Sequence, residues 1–281
     1  MTQTQSAANA DQVDYWNAQA GATWAKFQDR LDRQLEPLGR EAIRALAPRP
    51  GERILDIGCG CGHSSLELAA LVGPSGSVVG ADISRPMLEV ARTRPAPAGS
   101  GALSFLEADA QTADLSGFDA VYSRFGVMFF NDPPAAFANI RKALKPGGRM
   151  AFVCWRPYED NPWMRAPMEA AQPYLPPSPP RDPVAPGPFA FADPDRVSGI
   201  LHGAGFIDVR LDPFDAKIGC SNVEQSMEMA FRIGPLGAAL RENPQSVEPI
   251  KDVLRAVFRR FDGPEGVRIP SATWIVQARN P

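Results

Sequence analysis

The sequence predicts a doubly wound α/β fold, in which helices cover both faces of a seven-stranded, mostly parallel sheet. Between residues 50 and 155, short and almost wholly apolar runs alternate with stretches of helical spacing. Runs that are apolar at nearly every position are typical of parallel strands buried on both faces. Two more strand-like runs, 207–216 and 272–280, complete the predicted sheet.

Local patterns predict the first elements in chain order. Residues 11–47 carry apolar side chains at helical spacing and predict a helical preface. The run ERILDIG predicts a strand that ends at a glycine cluster, and HSSLELAALV predicts a helix that stops at Gly73 and Pro74. SGSVVGADIS and RPMLEVARTR then repeat the strand and the helix, with Pro86 in the first helical turn, where proline is tolerated.

The remaining elements follow in the same way. LSFLEADA, FDAVYSRFGVMFF and RMAFVCW predict the third, fourth and fifth strands, and DPPAAFANIRKALKPGG predicts a helix before the fifth. Prolines dominate from Arg156 to about Asp195, which predicts neither a regular helix nor a central strand there. Helices are expected again over PDRVSGILHGAGF, VEQSMEMAFRIG and VEPIKDVLRAVFRRF.

Composition narrows the function classes. No apolar run approaches the roughly 18 residues that a membrane span needs, and the N-terminal residues have neither a basic start nor an apolar core of a signal peptide. A cytoplasmic protein without a membrane span is therefore expected. The net charge is −3 and the arginines are scattered among acids, which disfavours a nucleic-acid partner. The sequence leaves the oligomeric state open, a homodimer included.

A glycine-rich turn follows the first predicted strand. Gly58, Gly60 and Gly62 alternate directly after Asp56 and Ile57, before a helix whose N-terminal N–H groups favour negative charge. This arrangement predicts a nucleotide-type binding site. The dinucleotide fingerprint requires a glycine three residues after the second one, where this chain has His63. A nicotinamide-dependent oxidoreductase is thus disfavoured, although it stays an alternative.

Two aspartates end the next strands. Asp82 ends the second strand, twenty residues after Gly62, where a carboxylate can accept hydrogen bonds from both hydroxyls of a ribose. Asp109 ends the third strand and is placed to accept from an exocyclic amine such as that of adenine. Each aspartate alone could instead be a helix N-cap.

The series LDIGCGCG, GADIS, EADA, FDAVYSRFGVMFF and KPGGRMAFVCW resembles class I S-adenosylmethionine (SAM)-dependent methyltransferases, in particular the ubiquinone and menaquinone C-methyltransferase-like group. The resemblance covers about residues 50–155 and implies a Rossmann-like fold with SAM as cofactor. The cofactor-binding residues that it implies are Asp56, Gly58 and Gly60 at the methionine moiety, Asp82 at the ribose, Asp109 at the adenine, Ile83 and Ala110 packed on the base, and Ser123, with Arg124 and Phe125, facing the sulfonium and the acceptor.

The helical preface resembles small-molecule methyltransferases in a further respect. Trp16, Trp24 and Arg33 are spaced like the aromatic, aromatic and basic residues that glycine and sarcosine N-methyltransferases place over SAM. The resemblance implies that Arg33 pairs with the SAM carboxylate and that an aromatic ring lies near the sulfonium. The alternative is that both tryptophans belong to the helix core.

The expected function is methyl transfer from SAM to a small-molecule acceptor. Alignment and desolvation can drive such a transfer without a dedicated base, so no catalytic residue is assigned. Cys59, Cys61 and His63 alternate in too tight a turn to converge on a metal ion, and none is predicted. A non-catalytic SAM-binding protein is the other alternative. The side chains expected either to line an acceptor pocket or to pack in the core are Trp155, Trp163, Met164, Met168, Met227, Met229 and Phe231.

Four regions are expected along the chain. They are an N-terminal helical cap (1–48), a SAM-binding core (49–155), a proline-rich insertion with a helix (156–205), and C-terminal strands with a helical insertion (206–281). The cap and the insertions are expected to form a lid over the acceptor.

Overall fold

A computed structural model describes residues 9–177 and 182–281. The helices are α1 (Ala10–Asn17), α2 (Gln19–Lys26), α3 (Gln28–Leu46), α4 (His63–Val72), α5 (Arg85–Thr93), α6 (Pro133–Ala143), α7 (Pro162–Ala171), α8 (Pro194–Gly203), α9 (Val223–Arg232), α10 (Gly234–Glu242) and α11 (Val247–Arg259). The strands are β1 (Arg53–Ile57), β2 (Ser77–Asp82), β3 (Ala102–Glu107), β4 (Phe118–Arg124), β5 (Leu144–Trp155), β6 (Ile207–Ile218), β7 (Asp262–Gly263), β8 (Gly266–Val267) and β9 (Ile269–Arg279).

Seven of these strands form one sheet in the order β3-β2-β1-β4-β5-β9-β6. Every neighbouring pair is parallel except those of β9, which runs antiparallel to both β5 and β6. This confirms the predicted fold class and all seven predicted strands. The strand order reverses between β1 and β4, and in open α/β sheets ligands bind at the carboxyl ends of the strands at such a point.

The long helix α3 covers one face of the sheet and contacts β4, β5, β6 and β9. Its buried apolar residues recur at helical spacing: Leu31, Leu35, Leu38, Ala42 and Leu46. Helix and sheet approach closely because position 39 is glycine. A Cβ on Gly39 would lie 2.9 Å from Arg124 Cδ. The Tyr122 hydroxyl donates to Gly39 O over 3.0 Å and fixes this contact.

The prediction for the proline-rich stretch is wrong in one part, because helix α7 lies within it. Pro162 occupies the first helical turn, where its missing N–H costs nothing. The buried side chain of Asn161 anchors the start of α7 to β9, donating to Ala272 O (3.1 Å) and accepting from Ala272 N (2.9 Å). These contacts lie 111 residues away in sequence, so local patterns cannot reveal them. Residues 178–181 of the stretch lie outside the described residues.

Helices α7 and α9–α11 form a helical lobe with a core of its own. That core contains Leu236, Leu240, Ile250, Leu254 and Phe258. Helix α10 in this lobe was not predicted, because its sequence begins Gly-Pro and contains another glycine. The predicted preface consists of three helices, α1 to α3. In the described part of the chain, no helix combines the length and the apolarity that crossing a membrane requires.

Candidate active site

A pocket, here called the strand-end pocket, lies at the carboxyl ends of β1 to β4 and is closed over by residues of α1 to α3. Eight of the predicted site residues line it: Trp16, Trp24, Gly58, Gly60, Asp82, Ile83, Asp109 and Ala110. Asp56, Ser123 and Arg33 do not. The parallel sheet brings six of them together because the carboxyl ends of neighbouring parallel strands share one edge, whereas Trp16 and Trp24 come from α1 and α2.

The glycine-rich turn needs its glycines for both conformation and space. Gly58, Gly60 and Gly62 all have positive φ, at 67°, 55° and 81°. A Cβ on Gly58 would lie 2.7 Å from the Cα of Gly126, which belongs to the turn after β4. The turns after the two central strands therefore pack backbone against backbone at the pocket.

Asp82 ties the first two strand ends together. Its buried carboxylate accepts from Gly60 N over 2.7 Å and from Ser84 N over 2.8 Å. Burial raises the pKa of Asp82, while these backbone hydrogen bonds act to lower it. Because each carboxylate oxygen has two lone pairs, the group can accept further hydrogen bonds from a ligand.

Asp109 presents an unused acceptor at the same edge. Its Oδ1 accepts from Gln111 N over 2.9 Å, whereas its Oδ2 is buried without a hydrogen bond of normal geometry. Burial raises the pKa of this carboxyl, whereas the Gln111 backbone N–H and the nearby side chain of Asn9 act to lower it. A ligand that donates to the buried Oδ2 would supply the hydrogen bond of good geometry that this atom lacks.

Asp56 lies beneath the pocket rather than on its wall. It is fully buried, and its Oδ2 accepts from the hydroxyls of Ser64 (2.7 Å) and Ser65 (2.6 Å) in the first turn of α4. Burial raises the pKa of Asp56 to about 6. In this structure the side chain holds the start of α4 against β1, so it positions the glycine-rich turn.

Ser123 acts in a similar way under the turn after β4. It is buried, donates to Ile57 O over 2.8 Å and accepts from Gly126 N over 3.2 Å. The next two residues, Arg124 and Phe125, do line the pocket. Phe125 has a φ of 64°, which is costly for an aromatic residue, and its ring stacks on Trp155 with centroids 4.2 Å apart. Backbone strain is therefore stored at the pocket wall.

Arg33 lies away from the strand-end pocket, in a separate recess. Successive residues of an α-helix point about 100° apart. Asp32 on α3 therefore faces the strand-end pocket, whereas the next residue, Arg33, does not. Asp32 is buried and pairs with Arg94 Nη1 (2.9 Å), Arg124 Nη2 (3.2 Å) and His63 Nδ1 (3.5 Å). Burial lowers the pKa of His63.

Sequence reasoning missed Asp32 and Arg94 as parts of this site. The cluster combines Asp32 of α3, His63 of α4, Arg124 of β4 and Arg94, which directly follows α5. Asp32 and Arg94 are 62 residues apart in sequence. The one available signal was the position of Asp32 itself, a charged residue on the apolar stripe of a helix between Leu31 and Leu35.

Both predicted tryptophans reach the pocket. The Trp16 ring packs edge-on against Trp24, with centroids 5.6 Å apart, and against Phe129 at 5.2 Å. The backbone of Trp16 is fixed to the start of α5, because the Ser84 hydroxyl donates to Trp16 O over 2.8 Å. The tryptophans therefore line the pocket and form part of a small core at once.

A second cavity, here called the apolar chamber, adjoins the strand-end pocket beneath the helical lobe. The two share a wall formed by Trp24, Leu31, Leu35, Phe125 and Phe129. Among the described residues, no Asp, Glu, Lys, Arg or His lines the apolar chamber. Its volume is about 1010 Å³, counting the open space at its mouth.

The sequence left seven aromatic and methionine residues undecided between pocket and core. Four of them line the apolar chamber: Trp155, Trp163, Met164 and Met229. Met168, Met227 and Phe231 instead pack in the core of the helical lobe.

The thiols near these cavities are held in their neutral form. Burial raises the pKa of Cys59 far above its ordinary value and that of Cys61 to about 12. In the described part of the chain, no three His, Cys, Asp or Glu side chains form a group that could hold a metal ion.

Comparison with known proteins shows what part of this chain is similar to. Residues 54–148 match the family described as methyltransferase domain. Nocamycin O-methyltransferase of Saccharothrix syringae is 33% identical over 184 residues, which are 62% of this chain and 66% of that protein. The ubiquinone/menaquinone biosynthesis C-methyltransferase UbiE of Ectopseudomonas mendocina is 39% identical over 117 residues, 41% of this chain and 46% of that protein.

Solved structures share the fold at low sequence identity. Phosphoethanolamine N-methyltransferase 2 of Haemonchus contortus, in complex with SAM, superposes with a TM-score of 0.56 at 16% identity, over 96% of this chain and 59% of that one. The matches to the two curated relatives span about half to two thirds of their own lengths. Together these findings confirm the resemblance drawn from the sequence motifs.

Proposed function

We propose that this chain, whose residues 54–148 match a methyltransferase domain, transfers the methyl group of SAM to a small-molecule acceptor. The observation that carries the proposal is the shared wall between two unlike cavities. The strand-end pocket has charged side chains and glycine-lined backbone, whereas none of the described residues that line the apolar chamber is charged. A cofactor in the first would meet an acceptor in the second at Trp24, Phe125 and Phe129.

The nucleoside half of SAM fits the residues at the ends of β2 and β3. The unsatisfied Asp109 Oδ2 suits the exocyclic amine of adenine, and Asp82 retains lone pairs for the ribose hydroxyls. Ile83 and Ala110 supply apolar surface for the base. We therefore keep the assignments that the sequence motifs imply for these four residues.

For the methionine half, the structure supports a revised assignment. An amino acid end carries one ammonium and one carboxylate, and Asp32 and Arg124 present the complementary pair of charges on the wall of the strand-end pocket. We assign the carboxylate to Arg124 and the ammonium to Asp32, in place of Arg33. Asp56 and Ser123 support the turns from below.

When bound, SAM supplies an already activated methyl group. The chain then has to orient the acceptor and exclude water. These two effects can lower the activation barrier by on the order of 7 to 11 kcal/mol. The aromatic wall residues Trp24, Phe125 and Phe129 perform both tasks at the junction. Among the described residues, Cys220 supplies a thiol on the chamber wall, and burial raises its pKa, so the thiol stays protonated and has no free site to accept a proton. We assign no general base.

The proposal also covers the binding partners, the cellular location and the lid of the protein. A net charge of −3 supports a chain that binds no nucleic acid. We also propose that the protein works in the cytoplasm. We also propose that the cap (1–48) and the insertions within 156–205 and 206–281 act as the lid, and we leave a homodimer as a prediction.

Calorimetric titration with SAM, S-adenosylhomocysteine and NADH tests the proposal. We expect both sulfur ligands to bind and NADH to fail. In Asp82→Ala, affinity should fall by about 100-fold, since buried charge-assisted bonds contribute roughly 1.5–3 kcal/mol each. Asp114→Ala, an exposed aspartate beyond the same sheet edge, is the matched control and should bind normally. If the wild-type protein binds neither sulfur ligand, the proposed function fails. Binding of SAM without transfer across a metabolite screen would favour a non-catalytic SAM-binding protein.

A further inference from the structure

Three cavities lie side by side around the first half of α3. Gln28 and Asp32 face the strand-end pocket, and Leu31 and Leu35 face both that pocket and the apolar chamber. Arg30, Arg33 and Pro37 face a third cavity, here called the basic recess. Because each residue turns the helix by about 100°, this order follows the circumference of α3 from one cavity to the next.

The basic recess is lined by four cationic side chains: Arg30, Arg33, Lys217 and Arg268. Among the described residues, no Asp or Glu lines it. It shares Gln34, Ile218, Gly219 and Cys220 with the apolar chamber, and shares no residue with the strand-end pocket. The recess is thus the outer neighbour of the chamber, on the side away from the proposed cofactor.

Two of the cations are already engaged and two are not. Arg30 pairs with Glu228, and Arg268 Nη1 donates to the carbonyl oxygens of Val267 (3.0 Å) and Cys220 (3.2 Å). The side chains of Arg33 and Lys217 are exposed and make no ion pair or hydrogen bond with the described residues. Burial raises the pKa of Cys220, and the positive charges of Arg30, Arg268 and Arg33 act against this rise.

We propose that the methyl acceptor is an amphipathic molecule with an uncharged, ring-containing body in the apolar chamber and an anionic group in the basic recess. This inference rests on the proposed function and names the substrate class of its acceptor site. The body must be uncharged because a charge buried among apolar walls without a partner is strongly disfavoured. Arg33 and Lys217 hold the anionic group, a carboxylate or a group of like charge.

The proposal also orients the acceptor. Since the recess and the strand-end pocket share no wall residue, the anionic group lies at the end of the acceptor remote from the transferred methyl group. The methylated atom therefore belongs to the ring-containing body, and the anionic group itself is not esterified.

Two fluorescent probes of matched shape test the proposal. The first, 8-anilinonaphthalene-1-sulfonate, has an aromatic body with one anionic group, and the second, N-phenyl-1-naphthylamine, is the same body without it. Both are titrated into the full chain saturated with S-adenosylhomocysteine. We expect the anionic probe to bind about tenfold more tightly at low salt, and this advantage to shrink as salt screens the exposed cations.

Variants then show which residues cause the difference in affinity between the two probes. Arg33→Met and Lys217→Met should each weaken binding of the anionic probe by about fivefold and leave the neutral probe unchanged. Arg44→Met removes an equal charge from an exposed position further along α3 and should change neither probe. Ala230→Leu narrows the apolar chamber and should weaken both probes.

Equal affinity of the two probes for the wild-type protein, or no response to Arg33→Met and Lys217→Met, would overturn the proposal. So would probe binding that is insensitive to Ala230→Leu. If Arg33→Met weakens binding of S-adenosylhomocysteine instead, Arg33 belongs to the cofactor. Failure of the wild-type protein to bind S-adenosylhomocysteine at all overturns the proposed function, a result that calorimetry gives without either probe.

Discussion

The strand-end pocket and the apolar chamber share a wall of five residues and differ in almost everything else. The pocket is built from the turns that follow β1 to β4 and from residues of α1 to α3, and its charged wall residues among those described are Asp32, Asp82, Asp109 and Arg124. The chamber is built from residues of helices, strands and loops far apart in sequence, and none of its described wall residues is charged. The strand-end pocket presents backbone groups and charge to a ligand, whereas the apolar chamber presents an apolar surface of defined shape.

The difference follows from how each cavity is stabilised. Buried carboxylates in the pocket region are compensated by nearby N–H and hydroxyl groups, as Asp82 is by Gly60 N and Ser84 N. The chamber has few such donors, so its walls must be neutral to stay buried. Four predictions test this difference between the two cavities and are given in order of decreasing effect.

The largest effect is expected from Gly58→Ala, which attacks the pocket through its backbone. The new methyl group would lie 2.7 Å from Gly126 Cα at a residue with a φ of 67°, so both turns must shift. We expect at least 100-fold weaker binding of S-adenosylhomocysteine and a loss of about 3 kcal/mol in the free energy of unfolding. Calorimetry and denaturant titration measure the two effects.

The matched control for this change is Gly99→Ala. Gly99 also has a positive φ, of 73°, but a Cβ there would meet nothing within 4 Å. It should lose only about 1 kcal/mol and bind the ligand normally. Equal effects of the two substitutions would contradict the close packing of the two turns.

The second prediction concerns pH and the carboxylate beneath the pocket. The pKa of Asp56 is raised from 3.8 to about 6 in the folded chain, so the native state binds this proton more tightly than the unfolded state does. The stability from this group is fully present below pH 4 and is lost as the pH rises through 6. The neutral amide of Asp56→Asn mimics the protonated carboxyl and does not titrate, so this variant does not lose that stability as the pH rises.

Denaturant titrations from pH 4 to pH 7 measure this effect. The free energy of unfolding of Asp56→Asn minus that of the wild-type protein should rise with pH by on the order of 3 kcal/mol. Asp114→Asn, at an exposed position, should show a flat difference. A flat difference for Asp56→Asn as well would show that its carboxyl is not buried as described.

The third prediction places a charge in the chamber. Ala230 is a partly buried chamber residue on α9, and Glu or Gln there has the same shape and differs in charge. Ala230→Glu should bind N-phenyl-1-naphthylamine about tenfold more weakly than Ala230→Gln, because the carboxylate recruits water into the chamber. Both variants should bind S-adenosylhomocysteine as the wild-type protein does. Equal binding of the neutral probe to both would mean that the chamber tolerates charge.

The smallest effect is expected at the adenine end of the pocket. Asp109→Asn can keep the acceptor for Gln111 N but turns an amide donor toward the position of Oδ2. Loss of one hydrogen bond to the base should weaken binding of S-adenosylhomocysteine by about fivefold. Calorimetry with Asp114→Asn as control measures it, and unchanged affinity would remove Asp109 from the adenine assignment.

Local patterns in the sequence were sufficient for the sheet and for most of the strand-end pocket. The apolar runs predicted all seven strands, and the glycines after β1 predicted a tight turn. Asp82 and Asp109 could be placed together because each directly follows its strand, and parallel strands end at one edge of a sheet. The order of strands along the chain therefore predicts that Asp82, Asp109 and the glycine-rich turn lie at one edge of the sheet.

Tertiary packing decided the rest. Helix α7 forms among prolines because the distant Ala272 satisfies the buried Asn161. The orientation of α3 on the sheet turns Asp32 to the strand-end pocket and Arg33 to the basic recess, although the two are neighbours in sequence. Helical spacing identifies which residues share a face of a helix, but the docking of that helix determines which cavity each face meets.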